Sequence, residues 1–181
     1  MIGFSHAKVM NVIGFGDAKV IEHRTYTMMA FGNYFMSAPE VLLNRGHGKP
    51  ADWWCLGNFI YYLMVGDTPF AGDDPMQIYQ QIQSGKVVFP ESFDNNAKSL
   101  IKKLLTPDVK ARNGCLTNGV DDIKQHKWFK ELDWSLLMEK RLPAPFEPPV
   151  QGPMDTSMFE DCPESDEQPR TVDPAQELAN A

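Results

Sequence analysis

The chain has 181 residues, a net charge of −7 and an apolar fraction of 43%. This length and composition are typical of one globular domain with a tail, and the acidic balance disfavours a nucleic acid or an anionic membrane as the main partner. The longest apolar run, residues 53–65, is shorter than the roughly 20 residues that cross a bilayer, so we expect no membrane span.

Three cysteines, Cys55, Cys115 and Cys162, lie far apart in the sequence. Their odd number and wide spacing indicate neither a disulfide framework nor a metal site. No signal peptide is recognised at the start of the chain. We therefore expect a reducing, intracellular compartment, the cytoplasm, with the nucleus left open as a second location.

The first part of the chain is predicted to hold little regular structure. Residues 9–21 read as a strand, a glycine turn and a second strand. Residues 1–8 begin a near-copy of the turn sequence and are interpreted as a leader. Residues 22–50 contain scattered glycine, proline, asparagine and threonine, which predicts a long loop.

The next segment predicts a helix over residues 53–65, with Asp52 as its N-cap and Gly66 at its end. Apolar residues lie on every face of this helix. A helix of that kind is expected at the buried centre of a fold.

Further helices are predicted from apolar spacing along the remaining chain. They cover residues 75–82, 96–105, 120–129 and 134–138. Prolines then crowd residues 143–153, so residues 142–160 are predicted to be an extended strap. Residues 163–181 are acidic and poor in apolar residues, which predicts disorder. The expected fold class is mainly α, with a short N-terminal strand pair and an extended C-terminal strap.

A series of short motifs follows one order along the chain. They are GFGDAK (14–19), RTYT (24–27), APE (38–40), DWWCLG (52–57), TPF (68–70), AKSLIKKLL (97–105), NGVDDIKQHKWF (118–129) and GPMDTSMFED (152–161). In this order they resemble the C-terminal lobe and tail of AGC serine/threonine protein kinases, most closely the cyclic-AMP-dependent group. The resemblance implies a leader at 1–8, a kinase-like lobe at 9–129, an AGC tail at 130–162 and a disordered end at 163–181.

The resemblance also implies that the metal-binding turn of the family is degenerate in this chain. In these kinases the aspartate of the Asp-Phe-Gly turn binds the Mg²⁺ that bridges the ATP phosphates. Gly14 stands at that position and offers no oxygen ligand, whereas Phe15 and Gly16 are kept. Asp17 is interpreted as a loop carboxylate and not as a replacement ligand. We expect no cofactor or metal for this chain, although ATP and Mg²⁺ serve the family.

Other catalytic parts of the family are not recognised in the sequence. They are the glycine-rich loop, the lysine that contacts the phosphates, the glutamate that holds it, and the His-Arg-Asp loop. Phe31 replaces a threonine that supports substrate binding, and Tyr62 replaces a glutamate that reads a substrate arginine. Thr27 matches the phosphorylation site in the activation loop of the family. A threonine that stays unmodified is an equally open interpretation. Thr171 is a second candidate phosphosite.

Some residues match structural features of the family. Glu40 is expected to form a buried ion pair with Arg112. Asp52 is expected to retain only its role as a helix cap. Burial of its carboxylate without the family's partners is expected to lower the stability of the chain. Tyr79 and Ile82 lie on the helix that docks a regulatory subunit in cyclic-AMP-dependent kinases. Ordinary packing is the alternative interpretation for these two residues.

Three functions remain open at this point. The first is a degenerate AGC kinase-like lobe that is catalytically inactive on its own and binds a protein partner. The second is a fragment of an active ATP-dependent serine/threonine kinase. The third is an unrelated helical scaffold. The substitutions at Gly14, Phe31 and Tyr62 favour the first function, since truncation does not change residues inside the remaining segment.

Overall fold

The computed structural model describes residues 20–21, 37–147, 149–152, 154–158 and 160. The chain divides into two compact units, residues 1–143 and residues 144–181. Six α-helices and one 3₁₀ helix form the described part of the first unit, which contains no strand. They are α1 Pro39–Leu42, α2 Pro50–Val65, α3 Pro75–Ser84, α4 Asn95–Leu104, α5 Asp121–Lys124, the 3₁₀ helix Lys127–Phe129 and α6 Trp134–Met138. The mainly α class is therefore confirmed for these residues.

Several predicted segments lie outside the described residues. They include the leader, the terminal residues 163–181 and the strand pair at 9–21, of which only Val20 and Ile21 are described, without regular secondary structure. The described residues of the second unit form no helix or strand. A local turn orders part of it, because the Asp155 carboxylate accepts the backbone N–H groups of Gln151 and Ser157 at 2.7 and 2.9 Å.

Helix α2 begins three residues earlier than the sequence predicts. Its first residue is Pro50, whose fixed φ and missing N–H suit the first helical position. Asp52 therefore lies inside the first turn and is exposed, so the prediction of Asp52 as N-cap is wrong. The predicted loss of stability from a buried Asp52 carboxylate is wrong for the same reason. The helix ends as predicted at Gly66, which adopts φ of +84° and donates its N–H to the Tyr62 carbonyl at 2.7 Å.

One face of α2 forms the centre of the core. Trp54 is fully buried and stacks on Phe70 with ring centroids 5.5 Å apart. A Cβ atom on Gly57 would lie 2.8 Å from Leu105, so glycine permits the close contact between α2 and the end of α4. The other face is partly exposed, and Tyr62 on it is 48% exposed. The prediction of a helix buried on every side is therefore wrong for this face.

Helices α3 and α4 follow their predictions closely. Asp74 caps α3 by accepting the Gln77 N–H at 2.9 Å, and Pro75 is the first residue of the helix. Asp94 caps α4 in the same way through the Ala97 N–H at 2.7 Å. Each helix buries one apolar face against the core. Its N-cap fixes the first turn and so orients that face. The buried residues of the two helices are Ile78, Ile82, Ala97, Leu100, Ile101 and Leu104.

His126 links the 3₁₀ helix to α4 in the last part of the first unit. This buried residue precedes the 3₁₀ helix, and its Nδ1 atom accepts the Trp128 N–H at 3.3 Å. Its Nε2 atom lies 3.2 Å from the Ser99 hydroxyl on α4. Because Nδ1 is an acceptor, the ring is neutral and carries its proton on Nε2, which donates to Ser99. Burial, followed by the charges of Lys103 and Lys127, lowers the pKa of His126 from its ordinary value of 6.5.

Candidate functional site

The best-ordered ionic site of the described residues joins Arg112 to Glu40. Arg112 is fully buried and donates to both carboxylate oxygens of Glu40, with distances of 2.7 Å from one terminal nitrogen and 2.9 Å from the other. The structure thus brings together the two residues that the sequence analysis paired. A two-point contact of this kind fixes the orientation of both groups, which a single point contact does not.

The remaining hydrogen atoms of the Arg112 guanidinium also find acceptors. The Nε group donates to the Thr106 carbonyl at 2.9 Å, one terminal nitrogen donates to the Pro50 carbonyl at 2.8 Å, and the other approaches the Pro107 carbonyl at 3.4 Å. All five N–H bonds of the guanidinium are therefore engaged. Arg112 ties together α1, the start of α2 and the loop after α4, so its first role is to hold the scaffold.

A groove lies beside this ion pair. Its volume is about 740 Å³, and it is lined by the end of α1, the loop that leads to α2, Gln83 of α3, and residues 107–110. Arg45, His47 and Lys110 supply basic groups, whereas Pro39, Leu43 and Val109 supply apolar surface. No motif in the sequence indicates this groove. Its residues come from separate segments, and only the fold brings them together.

The predicted docking helix α3 presents its residues unequally. Ile82 is fully buried in the core, so the packing interpretation applies to Ile82. Tyr79 is half-buried on the same helix, and Met76 is 63% exposed. Met76 and Tyr79 are therefore the larger apolar and aromatic side chains of α3 that a partner could reach, whereas Ile82 is not accessible.

The cysteine thiols of the first unit are poorly suited to nucleophilic chemistry. Burial, followed by the charge of Asp52, raises the pKa of Cys55 to about 11. Burial also raises the pKa of Cys115. Since the thiolate is the reactive form, both residues are held in their unreactive state at neutral pH.

The metal turn and the phosphosites lie outside the described residues. This applies to Gly14, Phe15, Gly16, Thr27 and Thr171. Within the described ranges, no group of three or more His, Cys, Asp or Glu side chains is arranged to hold a metal ion. In the same ranges, no helix is both long enough and apolar enough to cross a membrane.

Comparison with known proteins gives a consistent family. The protein kinase domain model matches residues 2–129. The chain is 43% identical over 152 residues to the human cAMP-dependent protein kinase catalytic subunit PRKX. The aligned region covers 84% of this chain and 42% of that protein.

Two further relatives carry similar names. Catalytic subunit 3 of the cAMP-dependent protein kinase from Drosophila melanogaster is 42% identical over 160 residues, which is 88% of this chain and 27% of that protein. The catalytic subunit from Dictyostelium discoideum is 42% identical over 151 residues, which is 83% of this chain and 23% of that protein. The chain therefore spans less than half the length of these curated relatives.

Proposed function

Because the chain belongs to the protein kinase family and is similar to cyclic-AMP-dependent members of it, we propose that it acts as a degenerate kinase lobe that binds a protein without transferring phosphate. One contrast carries this proposal. The Glu40–Arg112 pair that supports the scaffold is complete, whereas Gly14 replaces the residue that binds the catalytic metal in the family. Phosphoryl transfer relies almost entirely on positioning and charge, so loss of the metal ligand removes its main catalytic contribution.

Tyr62 supports the same proposal. It replaces a glutamate that reads a substrate arginine in the family, and its side chain is neutral. It is also 48% exposed on the partly exposed face of α2. A neutral phenol there cannot form the ion pair with a substrate arginine that a carboxylate forms, so recognition of basic substrates is lost.

We place the contact with the protein partner on α3. Met76 and Tyr79 offer apolar and aromatic surface beside each other on one helix, and aromatic and methionine side chains are enriched in protein interfaces. The curated relatives are catalytic subunits by name. A regulatory subunit that binds cyclic AMP is therefore the proposed class of partner.

Capture by an immobilised regulatory subunit tests this proposal. The full chain is expected to be retained, and Tyr79→Ala is expected to weaken retention by about tenfold if Tyr79 anchors the interface. Gln80→Ala is the matched control, since Gln80 is an exposed neighbour on the same helix. Equal losses for Tyr79→Ala and Gln80→Ala, with unchanged thermal midpoints, would contradict the proposed contact, and absence of capture would contradict the partner class.

A second function is favoured by one observation. The chain spans 42% of the human relative, so it has the length of a piece of a complete kinase. A fragment of an active kinase would be joined, in the full transcript, to an in-frame glycine-rich loop and a His-Arg-Asp motif. Sequencing the transcript upstream of these residues distinguishes the two functions.

A further inference from the structure

We propose that the groove beside the Glu40–Arg112 pair, bounded by Arg45 and Lys110, binds an acidic peptide segment of a partner protein. This inference does not depend on the α3 surface, because neither Met76 nor Tyr79 lines the groove. It also does not depend on the loss of catalysis. It rests on charge, shape and the rigidity of the groove walls.

The charge of the groove differs from that of the chain. The chain carries a net charge of −7, yet the groove brings Arg45 and Lys110 to one opening. Within the described ranges, neither side chain forms an ion pair. Their charges are therefore available to an anionic ligand.

The acidic groups of the groove cancel these charges only in part. Glu40 is paired with Arg112, which lies fully buried behind it. Asp108, whose carboxylate accepts the Lys110 backbone N–H at 3.0 Å, offsets one of the two positive charges. The groove therefore keeps a net positive charge, because Arg45 and Lys110 outnumber Asp108 and the charge of Arg112 offsets that of Glu40.

The position of Arg45 is built into the fold. Its backbone N–H donates to the Glu40 carbonyl at 3.1 Å, directly after α1. Asn44 and Gly46, on either side of it, adopt positive φ values of 48° and 73°. Asparagine and glycine are the residues that accept this conformation most readily. The loop therefore holds Arg45 at the groove through a specific backbone geometry.

The size and lining of the groove favour a peptide over a small ion. Its volume of about 740 Å³ lies in the range of roughly 300–1,000 Å³ that is usual for ligand sites. Pro39, Leu43, Pro107 and Val109 supply apolar surface between the basic groups. A peptide that alternates glutamate with leucine satisfies both the charges and the apolar surface, whereas an inorganic anion satisfies only the charges.

Fluorescence anisotropy with the full chain tests this site. The probe is a fluorescein-labelled peptide of alternating glutamate and leucine, and a second probe has glutamine in place of every glutamate. We expect the glutamate peptide to bind and its affinity to fall as salt rises from about 50 to 200 mM, because salt screens exposed charges. The glutamine peptide is expected to bind at least about tenfold more weakly.

Paired variants identify the groove. Arg45→Gln with Lys110→Gln is expected to weaken binding about fivefold to tenfold, as two exposed ion pairs are lost. Lys86→Gln with Lys127→Gln makes the same change in net charge at exposed residues outside the groove and is expected to leave affinity within about twofold. Thermal midpoints of all variants establish that they remain folded.

Three results would overturn the proposal. The first is no binding of the glutamate peptide at millimolar concentration. The second is an equal loss for the groove variant and the control variant, which would indicate attraction by overall charge alone. The third is complete displacement of the peptide by inorganic phosphate at matched ionic strength, which would make the groove a small-anion site.

Discussion

Arg112 and Glu40 form a two-point ion pair at 2.7 and 2.9 Å, across 72 residues of sequence, and Arg112 has no exposed surface. The same guanidinium holds the start of α2 and the loop after α4 through backbone carbonyls. One buried side chain therefore connects three segments that also form the walls of the groove. The stability of this unit is expected to depend on Arg112 more than on any surface ion pair.

Replacement of Arg112 tests this dependence. Arg112→Leu is expected to lower the free energy of unfolding by about 3–5 kcal/mol, because the Glu40 carboxylate and several carbonyls lose their buried donor. Arg141→Leu is the control, since Arg141 and Glu139 form an exposed pair at a similar distance of 2.9 Å. Its loss is expected to be at most about 1 kcal/mol. Urea denaturation measures both, and equal losses would contradict a structural role for Arg112.

Gly114 offers a second test of the same region. It adopts φ of +89°, and an added Cβ atom would lie 2.6 Å from the Trp53 ring. Gly119 also has positive φ, +58°, but nothing lies within 4 Å of its added Cβ. Gly119→Ala is expected to lose about 1–2 kcal/mol through backbone strain alone. Gly114→Ala is expected to lose about 1–3 kcal/mol more, because the ring must move; indistinguishable denaturation midpoints would show that Trp53 yields freely.

His126 makes stability depend on pH. Its pKa in the folded chain is lower than the ordinary value of 6.5 because burial disfavours the charged ring. The folded state therefore binds fewer protons than the unfolded state near and below pH 6.5. Stability is unaffected by this group well above pH 6.5 and falls as pH drops through 6.5 towards the folded pKa.

The variant His126→Asn isolates this effect. Asparagine is a good N-cap residue with a side-chain oxygen that accepts a backbone N–H, but it does not titrate. Between pH 7 and pH 5, the stability of the natural chain is expected to fall more steeply than that of His126→Asn, as measured by denaturation at several pH values. Parallel curves for the two proteins would mean that His126 is not the group responsible.

The helices that are predicted best have capping and apolar residues that lie close together in the sequence. In α3, Asp74 and Pro75 mark the first turn, and Ile78 and Ile82 give the buried face. All of these features depend on residues within a few positions of one another, which sequence patterns report well. The start of α2 was missed because Pro50 and Asp52 are both good signals for a helix start. The helix begins at Pro50, and Asp52 lies in its first turn.

The partly exposed face of α2 and the groove could not be predicted in the same way. Apolar composition predicts that a helix seeks burial, but it does not say which neighbours are present to cover Tyr62. Arg45 and Lys110 lie 65 positions apart in the sequence and line the same groove only because of the packing around Arg112. Long-range contacts of this kind leave no periodic pattern. The Glu40–Arg112 pairing came from family resemblance and not from spacing.

The proposed loss of nucleotide binding is tested most directly by the thermal midpoint of the purified chain with and without millimolar ATP and Mg²⁺. Since Gly14 provides no metal ligand, the midpoint is expected to be the same within about 1 °C. A ligand present at 100 times its dissociation constant would stabilise the folded state by about 2.7 kcal/mol and raise the midpoint by several degrees. A rise of that size that requires Mg²⁺ would contradict the assignment of this lobe as a non-catalytic, protein-binding unit.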